Sequence, residues 1–438
     1  MLGQEPPHVL VRPPGPESRS WFTRFEHSSA PMGCLPETGD TLRGARGKRI
    51  VYATARGSNV VDVDGNRYVD LAAGFGALLL GHGHPSVARV LELQSKRLFH
   101  ALGDVYPSDA KVGLLERVAR LHPEPGAQVI VGQSGSDAVT AALKTACLAT
   151  GKPGVIAFRG GYHGLGYAPL AATSLRAGYR DPFAAQLNPH VRLVDYPAGD
   201  GDSELDQLRG ALGGGDVGAV LFEPILGRGG CVVPPPGFMH GLCDLCSEYG
   251  AVSIADEVWT GLGRSGALLY SASQGAVFDL ICLGKGLGGG LPLSACIGKR
   301  SVMAAWRRAP EVVHTSTFAG APLAAATALA TLDTLERERL VERSEKLGER
   351  FRSELAEALG GSGAVVRGAG LMIGIDLGPR PGAAFAMQER LLEHGYIATT
   401  GGGAREVLVL TPPLTIAESL LAAPELRAAV VGSLPVGS

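Results

Sequence analysis

Lys285 stands in a segment, Asp279–Pro292, that reads DLICLGKGLGGGLP: an apolar run, one amine, then a string of glycines. An amine leaving a strand end into a cleft with little side-chain bulk is desolvated. That lowers its pKa and makes accessible the neutral nucleophile a Schiff base requires, while the glycines leave room for a flat cofactor. Lysine is scarce in this chain, eight residues against 32 arginines, so one in an apolar, glycine-rich setting stands out. Taken alone, the segment also fits a surface lysine in a turn. A second segment carries Val129–Val131 into Gly132-Gln133-Ser134-Gly135-Ser136-Asp137 and then into small residues from Ala138 to about Ala149. Strand, polar glycine turn and helix start follow in order. Free backbone N–H groups and the positive end of the helix dipole make an anion cradle there, to which Ser134 and Ser136 add hydroxyls; a phosphate fits, and so does a plain N-cap. A third segment, Ile254-Ala255-Asp256-Glu257-Val258, closes an apolar run with a carboxylate. A buried aspartate facing a pyridine nitrogen keeps it protonated and makes the ring an electron sink, although a helix cap or loop anchor has the same local pattern.

These groups need a scaffold that brings strand ends together. From about Gln128 onward, apolar runs (Gln128–Val131, Gly154–Phe158, Val217–Phe222, Ala251–Ala255, Leu280–Leu283) alternate with helix-length segments, which predicts parallel strands with helical crossovers. In open sheets of this kind ligands bind at the carboxyl ends of the strands. Before them, Ile50–Ala55, Asn59–Val63 and Tyr68–Leu71 read as an antiparallel ribbon with a hairpin turn at Asp64-Gly65-Asn66. After them come a small-residue helix around Pro322–Leu335, an amphipathic helix presenting Leu340, Leu347, Phe351 and Leu355, and strand-like Met372–Leu377 and Val407–Thr411. The expected fold class is α/β, with a flexible N-terminal arm at residues 1–20, a large domain at 76–329, and a smaller α+β domain built from both chain ends at 21–75 and 330–438.

Composition narrows the function classes. With 438 residues, 45% hydrophobic and 19% charged, a formal net charge of -2 and no basic run, the chain lacks the signature of a nucleic-acid or anionic-membrane surface and points to small-molecule partners. Seven scattered cysteines without a framework spacing suit a reducing compartment, and the Pro/Gly-rich N-terminus has no signal-peptide layout, so a cytoplasmic protein is expected. Several weaker signals are set aside. Gly261-Leu262-Gly263-Arg264-Ser265-Gly266 matches a dinucleotide fingerprint but does not leave a first strand directly or open a long helix. Cys243 and Cys246 lack a second pair for zinc, His82 and His84 lack carboxylate or cysteine partners, and Gly132–Ser136 lacks the final glycine of a serine-hydrolase elbow.

The order Asp64-Gly65, Gly81-His82-Gly83-His84-Pro85, Ser134-Gly135-Ser136-Asp137-Ala138, Gly161-Tyr162-His163-Gly164, Glu223-Pro224, Pro234-Pro235-Pro236-Gly237-Phe238, Asp256-Glu257-Val258, Lys285 and Thr317-Phe318-Ala319-Gly320 resembles the class III, fold-type I aminotransferases that use pyridoxal 5'-phosphate (PLP). The resemblance covers about residues 50 to 420. It implies a mostly parallel seven-stranded sheet between helices, Lys285 as Schiff-base lysine and proton shuttle, and Asp256 paired with the pyridine nitrogen. It further implies phosphate contacts from Ser134, Gly135 and Ser136, Tyr162 stacked on the ring with Val258 on the other face, and Glu223 orienting its neighbours. Thr317 would reach the phosphate of a neighbouring subunit, which makes a homodimer necessary. His163 is expected to be a packed structural histidine.

This chain departs from its relatives where substrates bind. Many relatives that use glutamate or 4-aminobutyrate carry a glutamate where this chain has Arg228, an arginine within the stretch that here reads Glu406–Pro413, and another where Leu165 stands. Plain dicarboxylate transamination is therefore not expected unless Arg228 takes over. Trp259 replaces a common glutamine and, with Phe75 and Trp21, suggests an aromatic, apolar substrate pocket. The Ser134–Ala138 turn, the Leu283–Ser294 segment and Leu410–Ile416 are also similar to amino-lactam and amino-acid racemases of the same fold. An aminotransferase is the leading expectation, with racemisation the alternative and a catalytically silent binding module a distant third.

Overall fold

In the computed structural model, which describes residues 3–30 and 49–434, the chain enters its first sheet through an antiparallel ribbon, β1 (Tyr52–Arg56), β2 (Asn59–Asp62) and β3 (Arg67–Asp70). The turn between β2 and β3 is built by the Asp62 carboxylate, whose Oδ1 accepts from the amides of Asp64 and Asn66 at 3.0 and 2.8 Å. The segment read as an arm runs along this ribbon. The amides of Leu10 and Val11 donate to Asn66 Oδ1 at 2.8 and 2.9 Å, and those of Glu17 and Ser18, opening the helix Pro16–Ser28, donate to the Asp64 carboxylate at 2.8 and 2.9 Å. Residues 1–2, 31–48 and 435–438 of the expected arm and small domain lie outside the described residues.

The central sheet follows: β4 (Gln128–Gly132), β5 (Gly154–Phe158), β6 (Val191–Val194), β7 (Val217–Phe222), β8 (Val252–Asp256), β9 (Leu280–Leu283) and β10 (Ser294–Gly298), in the order β4-β10-β9-β8-β7-β5-β6. Only β10 runs against its neighbours β4 and β9, so this is the expected mostly parallel seven-stranded sheet. Helices on both faces explain why its strands read as continuous apolar runs. Alternate residues serve two cores. Val155, Ala157, Leu221, Ile254 and Cys282 pack with Ala138, Val139 and Ala142 of the helix Gly135–Thr150. Ile156, Phe158, Phe222, Ala255 and Leu283 pack with Phe238, Leu242 and Leu245 of the helix Phe238–Tyr249. The functional consequence is positional, because β4, β5, β7, β8 and β9 all deliver their carboxyl ends to one edge.

The helices Pro322–Arg337 and Leu340–Ala358 lead into the last strands, β11 (Val365–Ala369), β12 (Met372–Asp376), β13 (Tyr396–Ile397), β14 (Thr399–Gly401) and β15 (Val407–Leu410). Four of them form an antiparallel sheet in the order β11-β12-β15-β14, whereas β13 adds to the first ribbon beside β3. Both chain ends thus share one sheet. Arg264, fully buried after β8, ties the central unit to the C-terminal one by donating from Nη1 to Leu371 O at 2.9 Å and Pro412 O at 2.5 Å. Among the described residues no helix is long and apolar enough to cross a membrane.

Candidate active site

Lys285 emerges where β9 ends, on a 3₁₀ turn, Lys285–Gly288, with φ of 41°. A left-handed backbone at a non-glycine residue is strained, and such strain collects where a side chain must be aimed. Its amine has no hydrogen-bond or ion-pair partner among the described residues; its nearest marked contact is the Trp259 ring, 4.7 Å from Nζ to centroid. Burial pushes its pKa below the ordinary lysine value, with the Arg228 charge adding to that and the carboxylates of Asp256 and Glu223 opposing it. A half-buried amine with a lowered pKa and no partner is available as a nucleophile.

Asp256 closes β8, one strand over, and is buried at 5% exposure. Its Oδ2 pairs with His163 Nδ1 at 2.8 Å and its Oδ1 accepts from the Val258 amide at 3.1 Å. Burial disfavours a charged imidazole, yet the hydrogen bond and charge of Asp256, with Glu223 behind them, raise the His163 pKa above its usual value. Glu223, just past β7, accepts from the amides of Tyr162 at 2.7 Å and Gly227 at 3.0 Å. Its own burial raises its pKa to about 7, with Asp256 adding and His163 opposing. Three titratable groups from three strand ends are therefore coupled beneath the lysine.

The polar glycine turn after β4 divides by role. Ser134 is exposed and caps the helix Gly135–Thr150: its Oγ accepts from the Asp137 amide at 3.2 Å, and Asp137 Oδ2 accepts from the Ser134 amide at 3.0 Å. That capping box leaves the amides of Gly135 and Ser136, first in the helix, without intrahelical acceptors. Gly135 and Ser136 line a cavity of about 160 Å³ with Tyr162, His163, Gly164, Glu223, Arg228, Asp256, Val258, Trp259 and Lys285. Gly135 must be glycine, since a Cβ there would come within 2.7 Å of Val258 Cγ1. The Trp259 indole is held against Gly227, where a Cβ would meet Cε3 at 2.5 Å, and its buried Nε1 has no hydrogen-bond partner among the described residues.

Nine of the thirteen residues expected at the site thus come together: Gly135, Ser136, Tyr162, Glu223, Arg228, Asp256, Val258, Trp259 and Lys285. Ser134 caps the helix outside the cavity, and Thr317 is exposed on the surface loop after Arg308. Phe75 and Trp21 are 60% and 45% exposed and do not line the cavity; Trp21 instead lies under Arg24, 4.3 Å from guanidinium carbon to ring. The partnership of His163 with Asp256 was missed in the sequence, where the two stand far apart and only the Tyr-His-Gly motif marks the histidine.

The fit to a flat phosphorylated aldehyde is chemical as well as spatial: two open amides at a helix N-terminus suit a phosphate, a buried carboxylate suits a ring nitrogen, and an unpaired amine suits a carbonyl. Fold and site define the class of fold-type I PLP-dependent transferases. The ornithine aminotransferase from Toxoplasma gondii superposes with a TM-score of 0.83 at 28% identity, covering 95% of this chain and 94% of that one. An amine transaminase from an uncultivated Pseudomonas species, in its PLP-bound form, superposes with a TM-score of 0.82 at 28% identity over 92% and 99%. The chain belongs to the class-III aminotransferase family, whose model matches residues 43–424. Among curated relatives, the acetylornithine aminotransferase of Methanosarcina mazei is 35% identical over 368 residues, 84% of this chain and 88% of the relative. The 4-aminobutyrate aminotransferase of Mycobacterium leprae is 33% identical over 441 residues, 94% and 95%.

Proposed function

We propose that this aminotransferase uses PLP bound through Lys285 to move an amino group between an amine or amino acid other than a simple dicarboxylate and a ketone or aldehyde. The observation that carries the assignment of roles is the unpartnered Lys285 amine in one cavity with Asp256 and the open helix amides of Gly135 and Ser136. The bound cofactor supplies an aldehyde for amine exchange and a ring that takes up the electron pair left when a Cα proton departs.

The rest is the work of the chain's own residues. Lys285 Nζ, its pKa lowered by burial, takes the proton from substrate Cα. Asp256 would hold the proton on the ring nitrogen, and His163, clamped on Oδ2, fixes that carboxylate's orientation. Gly135 and Ser136 would receive the phosphate on their amides and Tyr162 and Val258 would flank the ring, while Glu223 braces the Tyr162 and Gly227 backbones. A proton returned to the opposite face of Cα would give racemisation, which no separate observation favours.

Two copies make the complete enzyme in this reading. Thr317 lies outside its own cavity, free to serve a partner's phosphate. Phe318 beside it is 60% exposed and tilts against His100, while Phe99, Leu102, Val105 and Tyr106 nearby in sequence to His100 are 60 to 71% exposed, apolar surface suited to burial in a homodimer. Residues 76–329 form the large domain, and 21–75 with 330–438 the small one. The described cysteines are all free thiols, in keeping with a cytoplasmic, reducing setting. The test is to incubate the PLP-loaded protein with amines, amino acids and lactams while following pyridoxamine formation and deuterium uptake at Cα. Ketone release with pyridoxamine supports the proposal, inversion with exchange and no ketone would make it a racemase, and absence of a visible cofactor band would leave a binding module.

A further inference from the structure

The cavity holds a cation that no carboxylate of the described chain neutralises. Arg228 lies on the turn after β7, its carbonyl accepting from the Gly402 amide at 2.8 Å, its guanidinium carbon 4.7 Å from the centroid of the Tyr162 ring. It lines the same cavity as Lys285 and forms no ion pair among the described residues. The nearby carboxylates are otherwise placed: Glu223 is occupied by the amides of Tyr162 and Gly227, and Glu406 packs against Gly402.

Two further arginines are close enough for their charges to act together with that of Arg228, but each is committed elsewhere. Arg176 donates to Gly402 O and Gly403 O, both at 2.8 Å, and to the Tyr179 hydroxyl at 3.1 Å. Arg405 stacks on Phe385 at 4.7 Å and lines a different cavity. Arg228 alone of the three lines the lysine's cavity, where it meets the Tyr162 side chain but leaves its planar fork without a carboxylate among the described residues. Such a fork matches a carboxylate bidentately, and the aromatic face beneath it fixes the plane in which that carboxylate must lie.

We propose that Arg228 anchors the carboxylate of the amino donor, so that the substrate class is monocarboxylic amino acids and their oxo acids, in preference to simple amines. The proposal rests on the transaminase reading and deepens it. A charged head at Arg228 places Cα toward Lys285, and with Arg176 tied to backbone carbonyls no second free cation of this trio awaits a second carboxylate. The residue that disfavours a neutral amine is the same one, since a half-buried guanidinium left without a carboxylate is costly.

The test is a spectral titration of the PLP-loaded dimer with two unreactive probes of the same shape, propanoate and propanamide. Propanoate is expected to perturb the visible band at a concentration about tenfold or more below propanamide. Arg228→Gln should erase that preference and Arg228→Lys restore part of it, with the visible band retained in both. In parallel, the kcat/KM ratio of alanine to ethylamine should fall about tenfold or more in Arg228→Gln. Equal binding of the two probes by the unaltered enzyme, or a preference that survives Arg228→Gln, overturns the proposal while leaving the PLP chemistry intact. Absence of the visible band from the unaltered protein overturns the proposal together with the reading beneath it.

Discussion

His163 Nδ1 and Asp256 Oδ2 lie 2.8 Å apart in a nearly dry setting, at 1% and 5% side-chain exposure. The histidine leaves the loop after β5 and the aspartate ends β8, so the sheet, with β7 between these strands, sets their separation. Burial opposes a charged imidazole, but the hydrogen bond and charge of Asp256 raise the His163 pKa above its usual value, and the bond fixes the orientation of the Asp256 carboxylate.

Replacing His163 by Gln therefore removes a positioning bond without removing the acid. A lost charge-assisted hydrogen bond costs about 1.5 to 3 kcal/mol, which corresponds to about 10- to 100-fold in kcat. The kcat–pH profile should also change shape above the usual histidine pKa, because the variant has no imidazole to titrate there. Asp256→Asn should keep the cofactor and cut kcat more severely, because a neutral ring is a poor electron sink. Steady-state kinetics across pH on both variants checks this; a His163→Gln profile superposing on the parent's contradicts the positioning role.

Glu223 gives a pH signature in stability. Its carboxyl is raised from 4.5 to about 7 in the fold, so the folded state holds a proton that the unfolded chain releases near 4.5. The associated stability is complete below pH 4.5 and is lost as pH rises through about 7. Compared with Glu223→Gln, the cofactor-free parent should lose on the order of 3 kcal/mol across that window. Denaturant melts of both proteins at several pH values check it, and a constant difference between them would reject it.

Trp259 and Gly227 should couple energetically. A Cβ on Gly227 would lie 2.5 Å from the indole Cε3, so Gly227→Ala must displace the ring. Trp259→Ala alone should destabilise by about 3 to 5 kcal/mol and open the cavity to bulkier donors. In the Trp259→Ala background, Gly227→Ala should cost at least about 1 kcal/mol less than in the parent. Thermal melts of the four proteins measure this coupling, and simple additivity would mean the indole yields freely.

Much of this was legible in the sequence because parallel strands buried on both faces write themselves as apolar runs. β5, β7, β8 and β9 did so, and their ends led directly to Lys285 and Asp256. Two strands of the sheet were not among those runs. β6, VRLV, is a four-residue edge strand with Arg192 exposed, and β10, SACIG, has only Ile297 among otherwise small residues and pairs between β4 and β9. Ser134 could not be told from its neighbours as a capper, since one hydroxyl suits both roles and only the reciprocal Asp137 bond decides. Phe75 and Trp21 are expected in a pocket on aromatic character alone, and in the single chain both lie exposed outside the Lys285 cavity. The His163–Asp256 bond spans 93 residues of chain and depends on the order of strands, which local pattern does not encode.

The central claim, that Lys285 carries the cofactor, is tested most directly by borohydride reduction of the PLP-loaded protein followed by peptide mass mapping. The account predicts a single modified peptide with the cofactor fixed on Lys285, and none in Lys285→Ala. Modification of another of the eight lysines, or undiminished turnover by Lys285→Ala, would contradict it.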